Sequence, residues 1–180
     1  MSGQVPSFGG NLGRPGFMII SLIVAAAKNN AIGKNGGMPW LLPEDIKYFK
    51  NTTWAMPVIM GRRTFESLKK PMPGRKNIVI TRQTGWQAEG TVAVKNLDDA
   101  LFVANQTDAK EVFIIGGGEI YRLALNKAKR IYLTRVEAEP EADTFFPELD
   151  PKSWQLVSSK DQPADEKNMY PFSFQVWERK

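Results

Sequence analysis

The chain contains no cysteine and no histidine. The first absence excludes disulfides and thiol chemistry. The second removes the usual nucleophile–base triads, the commonest proton shuttle and the commonest metal ligand. Acid–base work must therefore fall to carboxylates, tyrosine or lysine, and no metal site is expected. Extended apolar runs are scarce too. The run from Phe17 to Ala27 has the length and β-branched content of a buried strand. It is too short to cross a bilayer as a helix, which takes about 20 residues. It ends in small residues, as a signal peptide does, but the preceding segment is long and carries one positive charge, Arg14, which argues against secretion.

What is present suits one globular domain with room for a core: 180 residues, 42% hydrophobic and 24% charged. The net charge of +5 fits nucleic acid or a small polyanionic ligand. Met1 to Gly16, rich in Gly, Ser, Pro and Asn, reads as a disordered extension. Beyond it, strands alternate with helices. Strands are expected near Pro57–Gly61, Asn77–Thr81, Gly90–Val94, Val112–Ile115 and Ile131–Val136, and helices near Pro43–Thr52, Arg62–Leu68, after Asn96 and from Glu119. That alternation predicts an α/β fold: a single domain with a mixed, mostly parallel sheet of about eight strands, flanked by helices. Trp154–Val157 and Phe172–Trp177 have no helix between them and read as an antiparallel pair closing one edge.

The stretch from Gly36 to Phe49 stands out. Met38 and Trp40 lie on a Gly- and Pro-bearing loop with no evident strand beneath them. Pro43 fits the first turn of a helix, where a missing N–H costs nothing. The two acids that follow point in different directions, because residues one apart do not share a helix face. Glu44 groups with Lys47 and Tyr48 and reads as solvent-facing. Asp45 groups with Phe49, at the edge of the apolar face. On local grounds Asp45 is either a pocket carboxylate or another helix-start acid.

Ligands of open α/β sheets sit at the carboxyl ends of strands. Three such ends are informative: Gly61-Arg62-Arg63-Thr64, Thr81-Arg82 and Gly116-Gly117-Gly118. Helix-start N–H groups and forked arginines bind phosphate. Each signal alone is weak, since glycines also make tight turns and arginines also make solvated faces. Together they favour a dinucleotide or phosphorylated ligand, without the G-x-G-x-x-G fingerprint.

From about Phe17 to the C-terminus the chain resembles bacterial dihydrofolate reductases. The resemblance rests on Ala31-Ile32-Gly33, Met38-Pro39-Trp40-Leu41-Leu42-Pro43-Glu44-Asp45 with Phe49, Pro57 to Arg62, Pro73 to Asn77, Ile115 to Tyr121, Leu133-Thr134 and Asp143 to Pro147. It implies a domain over residues 17–180 that reduces 7,8-dihydrofolate with NADPH in the cytoplasm. The implied protein is a monomer that binds antifolates and engages neither nucleic acid nor membrane. It implies that Asp45 grips the pterin, that Thr134 supports Asp45, and that Met38 and Trp40 belong to a mobile lid. Ile23, Val24, Ile46, Phe49, Leu68 and Ile115 would wall the pocket, with Arg75 and Lys70 near the glutamate tail. Ala25, Ile32 and Gly33 would meet the nicotinamide. Gly61, Arg62, Arg63, Thr64, Thr81 and Arg82 would meet the adenosine phosphates. Gly116 and Gly117, joined by a cis peptide, would lie on the pyrophosphate, with Gly118, Glu119, Ile120 and Tyr121 alongside. Glu119 stands where several relatives carry arginine, and Lys70 where some do. Two alternatives remain. A reductase of the same fold acting on a phosphorylated pyrimidine would not require Asp45. A non-catalytic nucleic-acid module would interleave exposed aromatics with its basic residues.

Overall fold

The apolar run becomes the middle of a sheet. In a computed structural model that describes residues 18–180, β1 (Ile19–Ala27) pairs in parallel with β6 (Glu111–Ile114) on one side and β7 (Arg130–Val136) on the other. A strand covered on both faces has no polar side to present, so its sequence reads as a continuous apolar run. The extension expected at Met1–Gly16, and Phe17 as first core residue, lie outside the described residues.

The remaining elements are β2 (Ala31–Gly33), α1 (Pro43–Thr52), β3 (Val58–Gly61), α2 (Arg62–Leu68), β4 (Asn77–Ile80), β5 (Thr91–Val94), α3 (Leu97–Asn105), α4 (Gly118–Ala124), β8 (Thr144–Phe145), β9 (Trp154–Gln162) and β10 (Phe172–Arg179). The main sheet has eight strands in the order β5-β4-β3-β6-β1-β7-β10-β9. Only the β7–β10 and β10–β9 pairings are antiparallel. This is the expected α/β architecture, including the closing pair.

Alternation along β1 divides the core. Leu22, Val24 and Ala26 face a cluster that includes Leu97 and Ala100 of α3 and Ile120, Tyr121 and Ala124 of α4. Ile23 faces the opposite layer, with Phe65 and Ile115 and, packed against them, Phe49 of α1 and Leu68 of α2. A third cluster gathers Trp40 and Leu42 with Ala27, Ala31, Val136 and Phe172. The loop aromatic that lacked an evident partner in the sequence is therefore anchored, with Trp40 only 6% exposed.

Two features differ from expectation. β2 and β8 form a separate two-stranded sheet, too short to register as a periodicity. β9 continues to Gln162, through the polar residues Ser158 to Asp161. It is an edge strand, exposed along most of its length, and a charged, hydrophilic edge resists pairing with another chain.

Candidate active site

Helix α1 delivers one acid inward and one outward. Asp45 is buried and Glu44 is exposed. Asp45 Oδ1 accepts a 2.6 Å hydrogen bond from Thr134 Oγ1, whose residue is itself buried on β7. Thr134 lies opposite Ala25 of β1 and Phe174 of β10 in the ladders, so the pair sits over the middle of the sheet. Burial pushes the Asp45 carboxyl above the usual carboxylate range, and the Thr134 hydroxyl opposes that shift only in part.

The sign of this shift carries a stability prediction. A carboxyl whose pKa is raised on folding binds its proton more tightly in the native state. Its contribution to stability is complete below the unfolded pKa and is lost as pH rises through the folded one. At neutral pH the ionised, buried Asp45 is a cost. Asp45→Asn, which keeps an acceptor for Thr134, should raise the melting temperature at pH 7 and lose that advantage at acidic pH. Thermal melts across pH check this.

Around Asp45 the structure gathers some of the expected pocket walls and separates others. Ile23, Ile115, Phe49 and Leu68 share one apolar layer. Val24 turns its side chain to the opposite layer, as strand alternation requires, and Ile46 is 38% exposed. The Tyr121 hydroxyl donates to the Ile23 carbonyl at 2.7 Å, tying α4 to this wall. Burial, with the Asp45 charge adding to it, holds that phenol far above its ordinary range, so it stays protonated as a donor. The Trp40 indole Nε1 is buried without a protein acceptor, leaving a donor for a ligand or water at this end of the sheet.

The far end of α1 fixes Arg75. Its Nε donates to Thr53 Oγ1 at 3.1 Å, Nη1 to the Pro73 carbonyl at 2.5 Å and Nη2 to the Lys50 carbonyl at 2.6 Å. Trp54 lies beneath the guanidinium, 5.1 Å from ring centroid to Cζ. Of the five N–H donors of arginine, one on each terminal nitrogen remains, a pair suited to a carboxylate. Asp45 and Lys50 are separated by about 7–8 Å of helix rise, so a ligand engaging both ends must be elongated. Sequence reasoning missed the residues that build this end. Asn77 is buried and bonds Met72 N, Met72 O and Arg75 O, holding the loop that carries Arg75. Its signal, an asparagine opening an apolar strand, is faint. Lys70 is exposed nearby in sequence, without a structural tie to Arg75.

The three glycine- and arginine-bearing strand ends become neighbours, because β4, β3 and β6 are adjacent and parallel. Gly61 N donates to Gly116 O at 2.9 Å, and the Gly116–Gly117 peptide is cis. Space here is reserved for backbone. A Cβ on Gly61 would stand 3.3 Å from Ile120, one on Gly118 2.9 Å from Thr144, and Gly116 has φ +124°. The flanking cations differ in freedom. Arg62 is held by Gln83 and, at 3.8 Å, by Glu66. Arg82 pairs with Glu119 at 3.5 Å, both largely exposed. Arg63 is exposed and Thr64 half-buried, while the Thr81 hydroxyl accepts from Gln83 N at 3.1 Å.

Residues 34–38 form an exposed loop, with Met38 52% exposed. The loop is tied to the segment before β8. Asp143 N donates to Gly33 O at 3.0 Å, Asn35 N donates to Asp143 Oδ2 at 2.8 Å, and Lys34 pairs with Glu141 at 2.8 Å. Ile32 and Gly33 lie on β2 immediately before it, and the half-buried Ala25 lies on β1.

A mostly parallel sheet with phosphate-suited strand ends and a buried carboxylate is an arrangement that suits a nucleotide-dependent α/β enzyme. The comparisons with known proteins sharpen this. The family model described as dihydrofolate reductase matches residues 19–179. The chain is 49% identical over 157 residues to the dihydrofolate reductase type 3 of Salmonella typhimurium, covering 87% of this chain and 96% of that protein. It is 42% identical over 163 residues to the dihydrofolate reductase of Haemophilus influenzae, covering 91% and 100%. A solved dihydrofolate reductase of Enterococcus faecalis, complexed with NADP(H) and the ligand RAB-propyl, superposes with a TM-score of 0.85 at 33% identity, covering 91% of this chain and 98% of that one. This chain belongs to the dihydrofolate reductase family.

Proposed function

We infer that this chain catalyses NADPH-dependent reduction of 7,8-dihydrofolate to 5,6,7,8-tetrahydrofolate. The observation that carries the reading is the buried Asp45–Thr134 pair at the start of α1, with a carboxylate-ready Arg75 at its end. Family membership and the glycine-lined strand ends support it. The test is direct: the purified protein should oxidise NADPH on addition of dihydrofolate, read as loss of NADPH absorbance. No oxidation would overturn it.

The chemistry suits a chain without histidine or cysteine, because the cofactor carries the hard step. Bound NADPH supplies a hydride. The chain's residues bind, orient and exclude water. The Asp45 carboxylate accepts from the ring N–H and the 2-amino group of the pterin, selecting a ring that offers two adjacent donors. Thr134 holds the carboxylate in place through its hydroxyl. An ionised carboxylate with little water about it also favours a proton on the substrate's imine nitrogen, so Asp45 assists protonation without touching that atom. Ile23, Phe49, Leu68 and Ile115 supply apolar wall, and Val24 contributes backbone. Arg75 takes the α-carboxylate of the tail. The loop through Met38 covers the site, held by Asp143. A monomer working in the cytoplasm completes this reading.

The cofactor fits the residues present: the glycines allow close backbone approach, and Arg62, Arg63, Thr64 and Arg82 supply charge and donors for phosphate. NADPH differs from NADH by one phosphate of about −2 charge. Two charge-assisted bonds contribute about 1.5 kcal/mol or more each, and 1.4 kcal/mol is about tenfold. The expected preference for NADPH is at least about a hundredfold. Arg63→Ala should erode it more than any other single change here, because Arg62 and Arg82 already have side-chain partners. Glu119→Ala should strengthen it slightly by releasing Arg82. The check is kcat/KM for both cofactors in wild type and both variants; equal use of NADH by wild type would contradict the assignment.

A further inference from the structure

The N-terminus of α1, which presents Asp45, has no cap of its own. The position before the helix is Leu42, whose side chain accepts nothing. The first-turn amides are nonetheless accounted for. Pro43 has none. Asp45 N and Ile46 N reach the Leu42 carbonyl at 3.0 and 3.1 Å. Glu44 N donates to Oδ1 of Asn168 at 3.1 Å, from a residue 124 positions away in the β9–β10 connection.

Asn168 is built for this contact. It is 2% exposed. Its Nδ2 and backbone N both donate to Asp165 Oδ1, at 3.0 and 2.7 Å, and its carbonyl accepts from Asp165 N at 3.0 Å. Because Nδ2 is committed to Asp165, the amide must turn its oxygen toward Glu44. One turn further along α1, Tyr48 stacks on Phe174 of β10, with centroids 4.1 Å apart. Phe174 is the ladder partner of Thr134, which holds the Asp45 carboxylate. Asp45 thus lies between two points fixed to the β9–β10 unit.

We propose that Asn168, supported by Asp165, is a positioning residue for the reaction: it caps α1 from the β9–β10 connection and so sets where Asp45 stands. This rests on the reading of Asp45 as the pterin-binding carboxylate. Loss of the cap frays the first turn, and a misplacement of up to about 1 Å costs up to about a hundredfold in rate.

The test uses the full chain at a temperature where every variant is folded. Asn168→Ala should lower kcat by about ten- to a hundredfold, leave NADPH affinity unchanged, and speed hydrogen exchange at Glu44, Asp45 and Ile46. The matched control is Asn96→Ala, which removes the side-chain cap of α3 (Asn96 Oδ1 from Asp99 N, 2.8 Å). It should lower the melting temperature comparably and leave turnover at the wild-type value. Should Asn168→Ala not fold, Asp165→Ala carries the same comparison with a smaller loss. Wild-type turnover in the folded Asn168 or Asp165 variant, an equal loss in Asn96→Ala, or unchanged hydrogen exchange at Glu44 in Asn168→Ala would each overturn the proposal. Failure of the wild type to reduce dihydrofolate would instead sink the functional reading, and the exchange data would still decide whether Asn168 holds the turn.

Discussion

Asp45→Asn should reduce turnover of dihydrofolate by about 10²–10⁴-fold at neutral pH, the range expected for a group that assists proton transfer. NADPH binding should survive, because the cofactor-suited residues lie at and just beyond the carboxyl ends of β3, β4 and β6 rather than on α1. Asparagine preserves size and the Thr134 contact but removes the negative charge. It also places a donor where the pterin already offers donors. Glu44→Gln serves as the neighbouring control: Glu44 is exposed, and only its backbone N–H engages another element, so turnover should change little. A larger loss from Glu44→Gln than from Asp45→Asn would invert the assignment of the two acids.

The second large effect concerns the substrate's tail. Arg75→Ala should weaken folate binding by about 2–4 kcal/mol, as for truncating one partner of a hydrogen-bonded charge pair. Each 1.4 kcal/mol is about tenfold. The loss is large because the guanidinium is preorganised by Thr53, Pro73 and Lys50 and braced on Trp54, so little side-chain entropy remains to be lost on binding. Burial alone lowers the Arg75 pKa, yet an arginine remains charged across the accessible range. Pteridines lacking a glutamate tail should be nearly indifferent to the substitution. Measuring dissociation constants for both ligand types on both proteins separates tail recognition from general damage; equal losses would refute the assignment.

Much of this fold was legible because its signals are long or local. The continuous run at β1 announces a strand buried on both faces, and Asn96 with Asp98 and Asp99 marks the start of α3. The separation of Glu44 from Asp45 follows from helix geometry alone. What was not legible depends on contacts distant in sequence. Trp40 looked unsupported until Val136 and Phe172 came under it. Asn168 carries no local mark of its distant partner Glu44, and Asn77, although its partner Met72 is near in sequence, carries none either, because a buried amide does not advertise what it bonds. β2 and β8 are too short for a period. The orientation of Val24 was available from strand alternation, since it adjoins Ile23 and must face the other layer. The pairing of Arg82 with Glu119 was half visible: Glu119 departs from the family pattern, but the ion pair needed the segment after β4 to reach the first turn of α4.

The central claim is that one buried carboxylate both orients the pterin and favours its protonation. The pH dependence of the reduction step, in wild type and Asp45→Asn, tests it most directly. In the wild type, Asp45 and the substrate's imine nitrogen share a proton that is lost as pH rises, so the apparent pKa belongs to the pair. The rate should level off at acidic pH and fall above the raised carboxyl range. In Asp45→Asn the proton must come from solvent acid. The rate should therefore be far lower at neutral pH and keep climbing as pH falls beyond the point where the wild type has levelled. Two profiles of the same shape, displaced only in height, would contradict the account.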